Sequence, residues 1–230
     1  MRSKKVSDKE KPFPSWIRSS KPLVLLLLRH EETENPGGIL YGQTDVPLSP
    51  VGRKKTEELV EKLSCFQIKA VYGSDLSRSS YGAKPLAERS GVPLTLTPLL
   101  REIDFGKWTG LTFKELLKIP EFRERLEHPE KIKPPGGESL KDLSERALRV
   151  VSEIKYHFPE GLVAIFSHGG LNRVLIARLL DIPLNRFFAL EQRPGAINLL
   201  VFFPDSPPLL ALFNAPPEID LRPYLEYYGI

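Results

Sequence analysis

Two of the four histidines stand directly behind the two most apolar runs of the chain. His30 follows Leu23–Leu28 and Arg29, and His168 follows Leu162–Phe166 and Ser167. A neutral imidazole can attack phosphorus and form a covalent intermediate that water later cleaves. A transferred phosphoryl group needs cationic donors around its oxygens. Arginine suits this best, because its planar fork gives two parallel charge-assisted hydrogen bonds. Arg29 and Arg78 are candidates. Taken singly, a histidine at a strand end reads as structural, and Arg78 as a solvated residue at a helix start. Two histidines and two arginines at matching strand ends point to a site. The leaving alkoxide needs a proton from a nearby carboxylic acid. Glu102 and Asp104, in the loop Arg101-Glu102-Ile103-Asp104-Phe105-Gly106, are rivals for that part on chemistry alone. His128 and His157 lie in charged surroundings near helix ends and read as surface residues.

The elements that must carry these groups follow from periodicity. Leu23–Leu28 and Leu162–Phe166 are continuously apolar, as strands buried on both faces of a parallel sheet are. Ala70–Tyr72 and Leu94–Leu96 read as shorter strands, and Ala196–Phe203 with Leu209–Phe213 as a closing pair. Helices are predicted from Ser49–Pro50 to about Leu63, from about Ser77 to Arg89 with Gly91 as its stop, over 112–127 with a break near Pro120, from Ser139 to about Phe158, and over Leu171–Leu180. Residues 29–49 form a long loop of the kind that carries function. Strands alternating with helices predict a three-layer α/β/α sandwich with a mostly parallel central sheet. In such folds ligands sit beyond the carboxyl ends of the strands, where His30, His168 and Arg78 fall. A helix start near Ser77, and Gly169-Gly170 before the next helix, would offer backbone N–H groups to a phosphate.

Composition narrows the class. In 230 residues, 41% are hydrophobic and 27% charged, as in an ordinary globular protein with a real core. The net charge is +4, yet residues 1–21 hold seven basic against two acidic side chains, so the remainder sums to about −1. Residues 1–21 therefore read as a basic, disordered tail, and nucleic-acid binding as the less favoured use of it. The apolar run of six residues is too short for a membrane span, which needs roughly 20. Cys65 is the lone cysteine, which fits a reducing, cytoplasmic setting. Residues 22–215 are expected to form the domain and 216–230 an irregular tail.

The ordered set Leu28-Arg29-His30-Glu31-Glu32-Thr33, Gly42-Gln43-Thr44-Asp45-Val46-Pro47-Leu48-Ser49 before Gly52, Ser74-Asp75-Leu76-Ser77-Arg78, Arg101-Glu102 with Gly106, Gly137-Glu138-Ser139 and Ser167-His168-Gly169 resembles the histidine phosphatase superfamily, also called phosphoglycerate mutase-like. The resemblance spans about residues 23–203. It implies that His30 is the phosphorylated nucleophile and that Glu102 is the general acid and then the base for water. It implies that Arg29, Arg78 and His168 bind the phosphoryl oxygens, with Thr33, Asn35, Gly42, Gln43 and Gly169 as further phosphate or substrate contacts. It implies no metal and no cofactor, and a small-molecule phosphate ester as partner; a homodimer is left open. Two positions depart from the pattern. Glu31 stands where the family has Gly, raising the prospect of steric or like-charge interference. Pro36 stands where an asparagine is frequent, with Asn35 one position early.

Tyr41–Leu48, Asp104–Trp108 and Gln192–Asn198 look most like α-ribazole phosphatases of cobalamin biosynthesis. α-Ribazole 5′-phosphate and a broad set of small phosphomonoesters are thus equally open as substrates, and fructose 2,6-bisphosphate is less favoured. Mutases carry a longer segment between the acid and the Glu-Ser-Leu helix start. Only 36 positions separate Glu102 from Glu138, which favours a phosphatase over phosphoglycerate mutase-type transfer. A weakly active phospho-ligand-binding relative is the remaining alternative, motivated by Glu31.

Overall fold

A computed structural model of the chain describes residues 21–35 and 38–230. The expectations for the basic tail up to residue 20 and for Pro36 lie outside the described residues. Among the described residues six strands form one sheet: β1 (Leu23–Arg29), β2 (Ile68–Gly73), β3 (Leu94–Leu96), β4 (Gly161–Ser167), β5 (Ile197–Phe202) and β6 (Leu209–Ala215). Their order is β3-β2-β4-β1-β5-β6. β3, β2, β4 and β1 run parallel, and β5 and β6 join antiparallel. The helices are α1 (Pro50–Leu63), α2 (Ser77–Ser90), α3 (Phe113–Leu116), α4 (Pro120–Glu127), α5 (Leu140–His157), α6 (Gly169–Leu179) and α7 (Arg222–Tyr227).

The three layers follow from strand periodicity. Leu23, Leu25 and Leu27 of β1 pack with Leu143, Ala147 and Ile154 of α5 and Val174 and Leu175 of α6. Val24, Leu26 and Leu28 pack on the other face with Leu59, Val60 and Leu63 of α1 and Ala83 and Leu86 of α2. Successive strand residues point to opposite faces, so only an unbroken apolar run can serve two helical layers at once.

Local signals set the helix ends. Ser49 caps α1 by accepting the Gly52 N–H, with Pro50 in the first turn. Ser139 and Asp142 form a reciprocal capping box on α5. Gly91 stops α2 in the left-handed conformation at φ 65°. The break expected near Pro120 separates α3 from α4.

The structure differs from the sequence reading at the C-terminus. Residues 216–230 include α7, and Leu221 and Leu225 are buried in the α1–α2 side of the core. The three prolines there suggested irregular chain. Two leucines four apart let a single helical turn bury apolar surface against α1, which outweighs the local breakers.

Leu26 lies fully buried in a central strand. Leu26→Ala is expected to cost about 2–5 kcal/mol in urea unfolding. Tyr156→Ala, at an 84% exposed position, should stay within about 0.5 kcal/mol. Equal losses at the two positions would contradict this layer assignment.

Candidate active site

The site begins with strand pairing. Arg29 of β1 lies opposite Ser167 of β4 in parallel register, and the His30 N–H donates to the Ser167 carbonyl at 3.0 Å. The next residues of both strands therefore emerge side by side. The His30 and His168 rings sit 5.2 Å apart, centroid to centroid, inclined at 62°. Both side chains are buried.

Hydrogen bonds define the ring nitrogens. His30 Nδ1 lies 2.7 Å from the Glu31 carbonyl oxygen. A carbonyl only accepts, so Nδ1 carries the proton and Nε2 keeps its lone pair. Arg78 Nε donates to His168 Nδ1 at 3.3 Å. That nitrogen accepts, so His168 presents its Nε2–H as a donor. Burial pushes the His30 imidazole well below its ordinary value, with Arg29 and Arg78 adding to the effect. Burial lowers His168 in the same way, with His30 and then Arg78 contributing. Both rings are thus neutral near pH 7, the form a nucleophile needs.

The cationic side of the site is held from behind. Arg29 donates through one terminal nitrogen to the Gln192 carbonyl. Arg29 Nε and His168 Nε2 are buried with no hydrogen-bond partner among the described residues. Two buried donors without acceptors beside a free imidazole nitrogen suit an anionic ligand, because leaving such donors unpaired is costly. Arg78 is more engaged. Its terminal nitrogens donate to Thr44 O at 2.8 Å and Gly42 O at 2.6 Å, and its guanidinium lies 4.8 Å over the Tyr41 ring.

Glu102 and Asp104 separate cleanly. Glu102 lines a cavity of about 320 Å³ together with Arg29, His30, Gly42, Gly169 and Gly170. Asp104 turns into its own loop and accepts the Gly106 N–H at 2.8 Å. The Glu102 carboxylate accepts the N–H groups of Gly170 at 3.0 Å, Leu171 at 3.2 Å and Ile103 at 2.9 Å. A β-carbon at position 170 would lie 2.4 Å from Glu102 Oε1, so glycine is required for that approach.

This corrects the expected use of the helix starts. Gly170 and Leu171 give their N–H groups to Glu102, and Ser77 gives its N–H to Asp45 at 2.8 Å. Unpaired N–H groups and the positive dipole end attract the nearest carboxylate, and each helix has one built in. The N–H groups of Gly170, Leu171 and Ser77 therefore serve to position protein carboxylates.

The other expected contacts divide. Gln43 donates its side-chain amide to the Glu102 carbonyl at 3.2 Å, and Gly42 contributes a carbonyl to Arg78. Both orient other site residues. Gly169 packs under Arg29, where a β-carbon would meet Nε at 3.1 Å. Thr33 is buried with its hydroxyl 3.4 Å from the Tyr41 hydroxyl. Asn35 is half-buried and makes no hydrogen bond to the site among the described residues. His128 and His157 are exposed, as expected.

Glu31 does not obstruct the site. Its carboxyl is buried outside the cavity wall, against Gly195, where a β-carbon would lie 2.0 Å from Oε1. Burial raises its pKa, with Lys55 opposing. Sequence reasoning missed its useful atom, the backbone oxygen that fixes the His30 tautomer. It also missed Arg146, whose guanidinium joins Glu138 at 2.6 Å, Leu99 O at 2.7 Å and Glu102 O at 2.9 Å. The signal was a charged residue on the α5 face otherwise occupied by Leu143, Ala147 and Val150. The amide pair Gln192–Asn198, hydrogen-bonded twice at 2.9 Å, steadies the segment that holds Arg29.

A histidine depressed in the fold makes the folded state bind fewer protons than the unfolded chain below about pH 6.5. Its contribution is complete above that value and is lost as the pH falls. Glu31, shifted upward, works in the opposite sense above its ordinary range. Unfolding stability is therefore compared between wild type and His168→Gln. The wild type is expected to lose more stability between pH 7.5 and 5.5; equal losses would show that His168 is not held neutral.

The histidine phosphatase superfamily (branch 1) pattern matches residues 25–215. Phosphoserine phosphatase 1 of Hydrogenobacter thermophilus is 33% identical over 168 residues, spanning 72% of this chain and 80% of that protein. Glucosyl-3-phosphoglycerate phosphatase of Mycolicibacterium vanbaalenii is 34% identical over 172 residues, spanning 71% and 76%. The native structure of a mycobacterial glucosyl-3-phosphoglycerate phosphatase superposes with a TM-score of 0.76 at 30% identity, over 84% of this chain and 98% of that one. An α-ribazole phosphatase from Shigella flexneri shares the fold at a TM-score of 0.73 and 24% identity, over 84% and 96%. The match runs from within β1 to the end of β6 and includes both buried histidines, and the chain belongs to the histidine phosphatase superfamily.

Proposed function

We propose that the protein hydrolyses a small-molecule phosphate monoester through a phosphohistidine on His30, without a metal. One observation carries the reading. The His30 Nδ1–H is fixed on the Glu31 carbonyl, which leaves Nε2 as the free nucleophile beside the unpartnered donors Arg29 Nε and His168 Nε2. In the first step Nε2 attacks phosphorus, the ester P–O bond breaks, and Glu102 gives its proton to the leaving alkoxide. Arg29, Arg78 and the His168 Nε2–H stabilise charge on the phosphoryl oxygens. In the second step Glu102 takes a proton from water, the water oxygen attacks phosphorus, and the P–N bond breaks to release inorganic phosphate and restore His30. For these steps Glu102 must exchange one of its helix-capping bonds for the substrate oxygen.

Glu31 motivated a reading as a phospho-ligand-binding relative. Its side chain lies outside the cavity, so it gives no reason for impaired chemistry. The relatives named for phosphoserine and glucosyl-3-phosphoglycerate support a small anionic ester as the class of substrate. α-Ribazole 5′-phosphate, and with it a place in cobalamin biosynthesis, stays one candidate of the panel. No helix among the described residues is long and apolar enough to cross a membrane. Cys65 is free and exposed, which fits a reducing cytoplasmic setting.

Turnover of 4-nitrophenyl phosphate should be insensitive to chelator and should leave acid-labile phosphate on the protein when quenched. His30→Ala should abolish both, and a variant retaining full rate would refute the nucleophile. Glu102→Gln should slow hydrolysis of an alkyl phosphate by about 10²–10⁴-fold. The loss should be smaller for 4-nitrophenyl phosphate, whose leaving group needs little protonation. An equal loss on both esters would remove Glu102 from the acid role.

A further inference from the structure

The cavity that exposes His30 and Glu102 extends beyond what a phosphoryl group needs. Its apolar wall includes Phe105, Phe113, Phe122, Phe187 and Phe188, around a volume of about 320 Å³. Phe113 and Phe188 are 49% and 45% exposed, large aromatic surface left at the rim of a polar site. Apolar surface of this kind in a concave site is what a ligand covers. The support beneath it is rigid: Phe122 packs edge-to-face on Trp108 at 5.3 Å and on Phe113 at 5.8 Å.

Charge on the same walls is unbalanced. Three guanidiniums, Arg29, Arg125 and Arg173, line the cavity against the single carboxylate of Glu102. Arg78 adds a fourth cation behind His168. Arg125 is 3% exposed, donates to the Ile132 carbonyl, and has no carboxylate partner among the described residues. Burial pulls it down to about 10, so it is still cationic at neutral pH. Arg173 donates to Leu190 O at 2.7 Å, stacks 5.4 Å over the Phe187 ring, and likewise has no carboxylate bonded to it. A phosphoryl dianion compensates two of the four positive charges and Glu102, protonated as the general acid, compensates none, leaving cations over beside the leaving group. A buried charge without a partner is costly, and an anionic group arriving with the ligand would relieve that cost.

We propose that the leaving-group side of this site is built for the ester of a ring-bearing, apolar alcohol that carries a second negative charge, the ring lying among the phenylalanines and the second charge at Arg125. This rests on the hydrolase reading above and narrows its substrate class. It distinguishes the site from one made for small polyol or amino-acid phosphates, which would leave Phe113 and Phe188 uncovered.

The test uses esters of primary alcohols of similar acidity, so that leaving-group chemistry does not decide the result: glycerol 3-phosphate, benzyl phosphate, and benzyl phosphate with a 3- or 4-carboxylate on the ring. The expected kcat/KM order rises along that series, by about tenfold for the ring and about tenfold again for at least one carboxylated isomer. Phe113→Ser with Phe188→Ser, both at exposed positions, should shrink the benzyl-to-glycerol ratio toward one. Arg125→Met should remove the advantage of the carboxylate. If Arg125→Met fails to fold, the wild-type ratio of carboxylated to plain benzyl phosphate still decides. Glycerol 3-phosphate turned over as well as benzyl phosphate would overturn the proposal while leaving the phosphatase intact. Equal rates with and without the ring carboxylate would overturn its charge requirement. Failure to hydrolyse any of the four esters, together with failure on 4-nitrophenyl phosphate, would overturn the hydrolase reading itself.

Discussion

The parallel pairing of β1 with β4 places the chemistry. Arg29 and Ser167 are the last paired residues, and one more backbone bond, from His30 N–H to Ser167 O, carries the register past the end of the sheet. Both imidazoles are fixed by that register before any side chain finds a partner. A slip of one residue would reverse the faces of Leu23–Leu28 and take His30 out of reach of His168. The leucines sealing both helical layers are thus what keeps the two rings 5.2 Å apart.

Around that pair, neighbouring backbone and side-chain groups set protonation and orientation. The Glu31 carbonyl chooses the His30 tautomer, and the Arg78 guanidinium chooses that of His168. The start of α6 holds the Glu102 carboxylate through two N–H groups, while Arg146 and Gln43 hold its backbone oxygen. Arg29 and His168 are each tied through one nitrogen and keep another, Arg29 Nε and His168 Nε2, without a partner among the described residues. The imidazoles and guanidiniums arranged in this way are oriented before charge develops on a bound ester, and Glu102 alone has a bond to exchange.

The outer cavity has another character. α3 and α4 are short, carry a separate small core of Trp108, Leu116 and Phe122, and stand on the segment between Glu102 and α5. The sheet carries His30 and His168 at its carboxyl edge, whereas this segment supplies Phe113, Phe122, Arg125 and Leu126 to the cavity wall. Phe187 and Phe188, which follow α6, complete the same wall, and Arg146 with Glu138 ties the segment to α5.

The sequence by itself determined the layers and singled out His30. Unbroken apolar runs this short, bounded by turn signals, read as strands buried on both faces, and the residues that follow parallel strands emerge at one edge. His30, His168 and Arg78 were readable for that reason, as were the caps at Ser49, Ser139 and Gly91, which act within a few residues. Tertiary structure decided what depends on contacts across the chain. Nothing local told Glu102 from Asp104; α6, 68 residues away, selected Glu102 by offering it N–H donors. Nothing local showed that the start of α2 would be taken by Asp45, that the Glu31 side chain would turn to Gly195, or that Leu221 and Leu225 would draw a proline-rich end onto the core. Periodicity and capping are properties of neighbouring residues, whereas the partner of a buried polar group is fixed only when the fold brings distant segments within hydrogen-bond reach.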